Sequence, residues 1–459
     1  MTEKNEVYGY LPEEKPELVK LLLYAVQQVI VMFPATIAVA LITGFQVSTT
    51  IFASGLATLC FIFITGGKIP LYYGSSFAYL SAVASMAMAE GSAEQIASWQ
   101  ATGILPTELI SKAQFGIIMS GFVSIAAGLL VRKFGKETIE KILPASITGP
   151  ISMIIGLTLA GNALSDAVIA DHTVYGTAWL IVSLVTLLST IFYSKYLKGF
   201  LGQIPLLLGA LTGSLCAAVF YFGGVNLFRS ISEEALNSLW SVGPFAIPAF
   251  SFPKPNLNAV IGIMPIAIAT IPESTAHMYQ LDIYVNNVAE KKGKKLGYSL
   301  IDLLDKNLIG DGLCDMISGF VGGPAGTNYG ENISTMAITK VFSTSVLVAA
   351  SIIAMIISCF TPLIKVIYGI PLAVIGGLEV YLFGAIAAQG IAIMIDKNVD
   401  MFSSKNIAVI AVIMVVGLGG QYAFGGNIPF FGMNVPCVAG ASIAGILLNA
   451  LLSIGEEKE

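Results

Sequence analysis

Two stretches, Gly66-Gly67-Lys68-Ile69-Pro70-Leu71-Tyr72-Tyr73-Gly74-Ser75-Ser76 and Gly322-Gly323-Pro324-Ala325-Gly326-Thr327-Asn328-Tyr329-Gly330-Glu331-Asn332, share one spelling in a chain otherwise built of apolar runs. In each, a Gly-Gly pair is followed after five residues by Tyr-Gly, and then by small or polar residues. Gly- and Pro-containing backbone inside a bilayer exposes N–H and C=O groups that lipid cannot satisfy, so it must lie against protein or water. A short extended piece leading into a half-helix places free N–H groups and a positive dipole end near the midplane. The two stretches are therefore expected to break two membrane segments, the third and the tenth, as short extended strands that face each other and pair.

Working outward, 56% of the 459 residues are hydrophobic, only 11% are charged, and the mean hydropathy is +0.82. A soluble domain must cover itself with charge, whereas apolar runs of about 18 to 25 residues recur here from Leu18 almost to the C-terminus. At about 20 residues per span, the runs divide into about 14 segments. They begin near Leu18, Val47, Gly74, Ala113, Ile142, Val174, Gln203, Val260, Leu308, Gly330, Ser345, Ile367, Asn406 and Gly432. The expected fold is an all-α polytopic membrane protein of two seven-segment repeats. An odd number of segments per repeat makes the second copy cross the membrane in the opposite sense. Pro144 with Gly149 against Pro371 with Gly376 is a weaker echo of the same repeat.

Basic residues test the count, because they gather in cytoplasmic loops. With both termini cytoplasmic, Arg132, Lys133, Lys136 and Lys141 share one inside loop, Lys195 and Lys198 the next, and Lys291, Lys292, Lys294 and Lys295 another. Only Lys112, Arg229, Lys254 and Lys365 fall outside, leaving 19 of the 23 basic residues inside. The net charge of −5 implies neither a nucleic-acid partner nor a strongly charged funnel. Five scattered cysteines, without a CxxC pair or a Cys/His cluster, point away from disulfides and zinc. Residues through Glu17 lack the basic n-region of a signal peptide. The longest polar stretches, Ser92 to Lys112, Gly224 to Asn256 and Leu281 to Asp305, are loop-sized, so no separate soluble domain is expected.

An Asp within a spanning helix costs about 2.5 to 3.5 kcal/mol on insertion scales, which makes buried carboxylates functional candidates. Glu273 and Glu331 are the clear cases. Glu273 lies inside the run from Val260 to Leu281, with His277 at i+4 on the same helix face. The pair reads either as a structural hydrogen bond or as a proton-titrating couple. Two ligands on one turn are too few for a metal. Glu331 would stand at the start of the second half-helix, as a cap or as a hydrogen-bond acceptor for a ligand.

Tyr329-Gly330-Glu331-Asn332-Ile333 through Met336-Ala337-Ile338-Thr339-Lys340, preceded by Gly310-Asp311-Gly312 and Gly322-Gly323-Pro324, resembles the signature of the nucleobase/cation symporter family of xanthine and uracil permeases. Gln27 with Met32-Phe33 and Ala35-Thr36, Gly74-Ser75-Ser76-Phe77-Ala78, and Glu273 with His277 are similar to that family's first, third and eighth helices. The resemblance implies fourteen spans, homodimers in the cell membrane, and an elevator-like motion of a core domain against a gate. Here the core would be 18–131 and 258–361, and the gate 137–223 and 364–454. It implies that Glu273, Glu331, Phe77, the Gly330 backbone, Tyr329 and Asn332 meet the base, and that Glu273, His277 and Asp311 serve proton coupling. No cofactor is implied.

Glu331 at the first position of the signature, with His277 four residues after Glu273, resembles the uracil branch, because purine carriers of the family usually place Gln there. The sequence departs from the pattern at Gln28, Ser334 and Gly326-Thr327-Asn328, which leaves a xanthine or urate carrier as an alternative. An anion transporter of the same architecture is another, although two buried glutamates oppose it. A membrane enzyme would need a nucleophile elbow, metal-ligand set or cofactor loop that the sequence lacks, and Asp311 with Asp315 has no evident partners.

Overall fold

The computed structural model describes residues 9–230, 238–431 and 433–454. In chain order the first half contains α1 (Leu18–Thr43), α2 (Val47–Ile64), β1 (Tyr73–Ser75), α3 (Leu80–Glu90), α4 (Ala93–Thr102), α5 (Thr107–Phe134), α6 (Glu137–Ile142), α7 (Ala145–Thr158), α8 (Ala160–Ala167), α9 (Val174–Tyr196) and α10 (Pro205–Phe222). A hairpin of β2 (Ser238–Val242) and β3 (Phe245–Pro248) leads into α11 (Leu257–Ile263), α12 (Ala267–Lys291), α13 (Leu304–Val321), β4 (Gly326–Asn328) and α14 (Gly330–Thr339). Then follow α15 (Thr344–Ser358), α16 (Thr361–Tyr368), α17 (Leu372–Asp396), α18 (Ser404–Phe424), the hairpin β5 (Asn427–Phe430) and β6 (Met433–Pro436), and α19 (Cys437–Leu452).

Among the described residues, nine helical stretches are long and apolar enough to cross a membrane, and three shorter apolar helices accompany them. One of the nine is the continuous stretch Leu257–Lys291. The 18-residue α13 is set apart by its charge, since it contains Asp305, Lys306, Asp311 and Asp315. The expected start of the last segment at Gly432 lies outside the described residues.

Both Gly-Gly pairs end a helix in the same way. Gly66, Gly67 and Gly322 have positive φ, a conformation open to glycine without a Cβ clash. The Gly67 N–H reaches back to the Ile62 carbonyl and the Gly323 N–H to that of Ser318, each at 2.8 Å. These bonds satisfy carbonyls that a helix end would otherwise leave open. Beyond them the chain is extended, and β1 pairs antiparallel with β4 in the register Tyr73 opposite Asn328, Gly74 opposite Thr327 and Ser75 opposite Gly326. The two copies are offset: α14 starts one residue after Tyr329, whereas after Tyr73 the chain stays extended through Ser75 before turning at Phe77. The Tyr329 ring lies where a Cβ on Gly74 would project, and the Tyr73 ring covers Gly326 in the same way.

Helices meet closely through glycine. On α5 and α13, Gly121 and Gly312 each face the other's carbonyl, and on α7 and α17, Gly149 and Gly390 do the same. Without a hydrophobic drive between helices in lipid, such backbone approach supplies van der Waals contact. Pro144 and Pro371 occupy equivalent places, each immediately before the first residue of its helix, α7 and α17.

The polar stretches that read as loops contain structure. Ser92 to Lys112 holds α4, started by a capping box of Ser92 and Gln95. Gly224 to Asn256 holds β2 and β3, and α12 continues through Lys291 into the stretch from Leu281. Polar composition marks a departure from the bilayer there, and local capping and pairing still organise the backbone.

The segment before α1 is strapped across the loop after α14. Tyr10 N–H donates to the Lys340 carbonyl and Phe342 N–H to that of Tyr10, both at 2.8 Å. Glu14 accepts from Lys292 at 2.5 Å and from Lys294 at 2.7 Å. Burial raises the Glu14 pKa, but the two ammonium groups outweigh it and hold the carboxyl down from the usual 4.5 to about 2. A depressed folded-state pKa gives stability that is present above the unfolded value and lost as pH falls through the folded one. Glu14→Gln should lower thermal stability by about 1 kcal/mol at neutral pH, after allowance for solvent screening. The difference from wild type should vanish between pH 4.5 and about 2 in a melting series.

Candidate functional site

The ribbon of β1 and β4 brings both broken segments to one cavity of about 1110 Å³. Glu273, His277, Tyr329, Gly330, Glu331 and Phe77 all line it, so six of the expected residues come together. Pro272 stands immediately before Glu273 inside α12. A proline there cannot donate to the preceding turn, which locally loosens the helix beside the carboxylate. Glu331 is in the first turn of α14, where the partial positive charge of the helix end favours a carboxylate. Its side chain is exposed to the cavity, although protein surrounds the site.

His277 lies against Gly330, where a Cβ would come within 3.0 Å of Nε2. Its Nδ1 is buried without a protein partner, which leaves it available to a bound molecule. Glu273 and Glu331 line the same cavity. One wall is aromatic: the Phe77 ring adjoins a cluster that includes Val39, Leu80, Leu159 and Phe383. A planar ligand with donors on its edge would meet carboxylates on one side and an apolar wall on another.

Two of the expected residues, one expected to meet the base and one to serve proton coupling, stand behind the cavity. Asn332 is fully buried, and its Nδ2 donates to the Gln28 carbonyl at 3.0 Å and to Gln28 Oε1 at 2.8 Å. It ties α14 to α1 and does not line the cavity, because the helical turn after Glu331 points it away. Asn332→Ala should cost about 1 to 3 kcal/mol by leaving Gln28 unsatisfied. Thermal unfolding would register that loss, with the affinity of the folded fraction little changed.

Asp311 also lies behind the cavity, and the structure corrects the reading that Asp311 and Asp315 lack partners. Asp311 accepts from Ser274 Oγ and, at 3.3 Å, from Asn328 Nδ2. Ser274 accepts in turn from Asn307 at 2.7 Å and from Asn328 at 2.9 Å. Asp315 accepts from the Tyr73 hydroxyl and from the Gly326 N–H, the latter at 2.8 Å. The two aspartates therefore brace β4, β1 and α12 against α13. Sequence reading missed Ser274, Asn307 and Asn328, although polar residues recurring within apolar helices were the available signal. Among the described residues, no group of three or more His, Cys, Asp or Glu side chains is placed to hold a metal ion.

Helices broken beside a paired ribbon, with carboxylates converging on a deep cavity, define a membrane transporter. Residues 19–426 match the xanthine/uracil permease model, described as the Permease family, and the chain belongs to that family. It is 32% identical to the uracil permease of Bacillus caldolyticus over 444 residues, which covers 96% of this chain and 94% of that protein. It is 33% identical to the putative pyrimidine permease RutG of Escherichia coli (strain K12), covering 96% and 91%. In fold it is similar to the murine anion transporter Slc26a9 in its inward-facing state, with a TM-score of 0.64 at 14% identity, covering 97% of this chain and 70% of that one.

Proposed function

We propose that the protein is a uracil:proton symporter of the cell membrane, working by an elevator-like alternating-access motion. The observation that carries this reading is the convergence of Glu273, Glu331 and His277 on one cavity. Uracil is neutral and planar, and offers N–H donors beside carbonyl acceptors. Glu331 accepts from the ring N–H groups, His277 and the Gly330 backbone complete the polar edge, and Phe77 packs near the ring. Glu273 carries the proton: protonated, it admits the base, and it releases the proton once the cavity opens to the other side.

In this reading the fourteen segments form two inverted repeats, with 18–131 and 258–361 as core and 137–223 and 364–454 as gate. Packing supports the division, since α5 lies against α13 and α2 against α15, while α17 lies against α7 and α9. The cavity reaches Leu143, Pro144 and the Asp396 to Asp400 turn, in loops assigned to the same face as the lysine-rich ones. With both termini cytoplasmic, that opening is inward. A homodimer is the assembly expected of the family.

The test is uptake of radiolabelled uracil into proteoliposomes, with and without an inward proton gradient and with xanthine as competitor. Gradient-driven uracil accumulation that xanthine barely inhibits is the expected result. Uptake of xanthine or urate in place of uracil would overturn the substrate, and uptake indifferent to the gradient would overturn the coupling.

A further inference from the structure

On the face away from the cavity mouth, side chains from the gate side hydrogen-bond the core. The mouth lies at one end of α17 and α18, at Asp396 to Asp400 and Asn406. From Leu372 to Asp396, α17 runs 25 residues, a rise of about 37 Å, so the Tyr368–Gly369 turn before it stands on the opposite face. The hairpin of β5 and β6 follows the far end of α18 and lies on that face too.

The Val47 N–H donates to the Tyr368 hydroxyl at 3.0 Å, and that hydroxyl donates to Gln46 Oε1 at 3.3 Å. Val47 opens α2, where the first N–H groups have no partner within the helix, and the Gln46 side chain does not cap it. Arg229 Nη2 donates to the Thr102 carbonyl at 3.3 Å, and its guanidinium fills the space beside Gly103 that a Cβ would occupy. Asn427 Nδ2, on β5, donates to the Ser85 carbonyl on α3 at 3.3 Å.

Each half of this clasp is tied to its own side. On the core side, the Trp99 ring of α4 lies on Gly44, and the Leu105 N–H donates to the Gly44 carbonyl at 2.7 Å, which joins the end of α4 to the turn that carries Gln46. On the gate side, the Arg229 N–H donates to the Gly369 carbonyl at 3.2 Å, and Leu227 packs with Trp179, Ala217 and Val374. Tyr368 is 1% exposed, so its bonds are shielded from water. An opening of the cavity on this face has to part these groups, and buried partners left unsatisfied oppose it.

We propose that Tyr368 and Arg229, with Asn427, form a latch that holds the outer face shut while the cavity faces inward, and that its release sets how often the cavity opens outward. The inference rests on the alternating-access reading given above.

Ala276, on α12, lines the cavity, so a thiol placed there is reached from outside only when the outer face opens. Cells carrying Ala276→Cys, treated with a membrane-impermeant maleimide, report that opening as labelling above that of the protein without the substitution. Adding Tyr368→Phe or Arg229→Ala should each raise the labelling rate about fivefold, the population shift that one lost hydrogen bond allows. The two together should raise it further. A wild-type labelling rate in either folded variant would overturn the proposal, and for Tyr368→Phe a lower melting temperature alone would mark Tyr368 as a cap on α2. Arg229→Ala leaves that cap in place, so it reads the latch even where Tyr368→Phe folds poorly. Uracil uptake by wild type, measured alongside, separates the two readings: its absence counts against the transport assignment, whereas uptake with unchanged labelling counts against the latch alone.

Discussion

Glu331→Gln is expected to weaken uracil binding about 100-fold, by the loss of a charge-assisted hydrogen bond and the gain of a misdirected donor, together about 3 kcal/mol. The carboxylate offers only acceptors, whereas the amide turns an NH2 group toward the N–H donors of the base. Glu331 sits in the first turn of a ten-residue helix, facing the cavity. The substitution keeps the shape and removes the charge, so the helix should persist. Equilibrium binding of labelled uracil to purified protein would check it. Wild-type affinity in the variant would mean that Glu331 only caps α14, and that the base is held elsewhere.

Glu273→Gln is expected to abolish uphill accumulation while leaving exchange of labelled for unlabelled uracil within about threefold of wild type, under 1 kcal/mol. The amide mimics the protonated acid, so it keeps the form that admits the base and loses the ability to release a proton. Uptake under an inward proton gradient, compared with exchange at equal pH, separates the two. Undiminished gradient-driven accumulation would assign coupling to another group, with Asp311 as the next to substitute. Loss of both activities would make Glu273 a binding residue first.

Much of the cavity's lining was legible in the sequence. The cost of a carboxylate in an apolar run singled out Glu273 and Glu331, and the 3.6-residue period put His277 beside Glu273. The repeated Gly-Gly and Tyr-Gly spelling marked where α2 and α13 end and where β1 and β4 lie, because local backbone chemistry decides where a helix must stop. Helix starts fell within a few residues of expectation at most segments, with α5 beginning six residues earlier than its apolar run suggested, at Thr107.

Less was legible where the partner is remote in sequence. Asn332 follows Glu331 directly, yet it turns to Gln28 on α1 and away from the cavity. Asp311 and Asp315 gained their roles from Ser274, Tyr73 and the Gly326 N–H, on three other elements.

Desolvation and backbone hydrogen bonding act on each segment separately, so composition and local spelling already place this chain in lipid and single out Glu273 and Glu331 within apolar runs. The register of β1 on β4, the offset between the two copies, and the division of polar groups into those that face the cavity and those that brace it emerge only in the folded chain. Those outcomes depend on pairwise hydrogen bonds and close packing between elements far apart in the chain, and no periodicity within one segment encodes them.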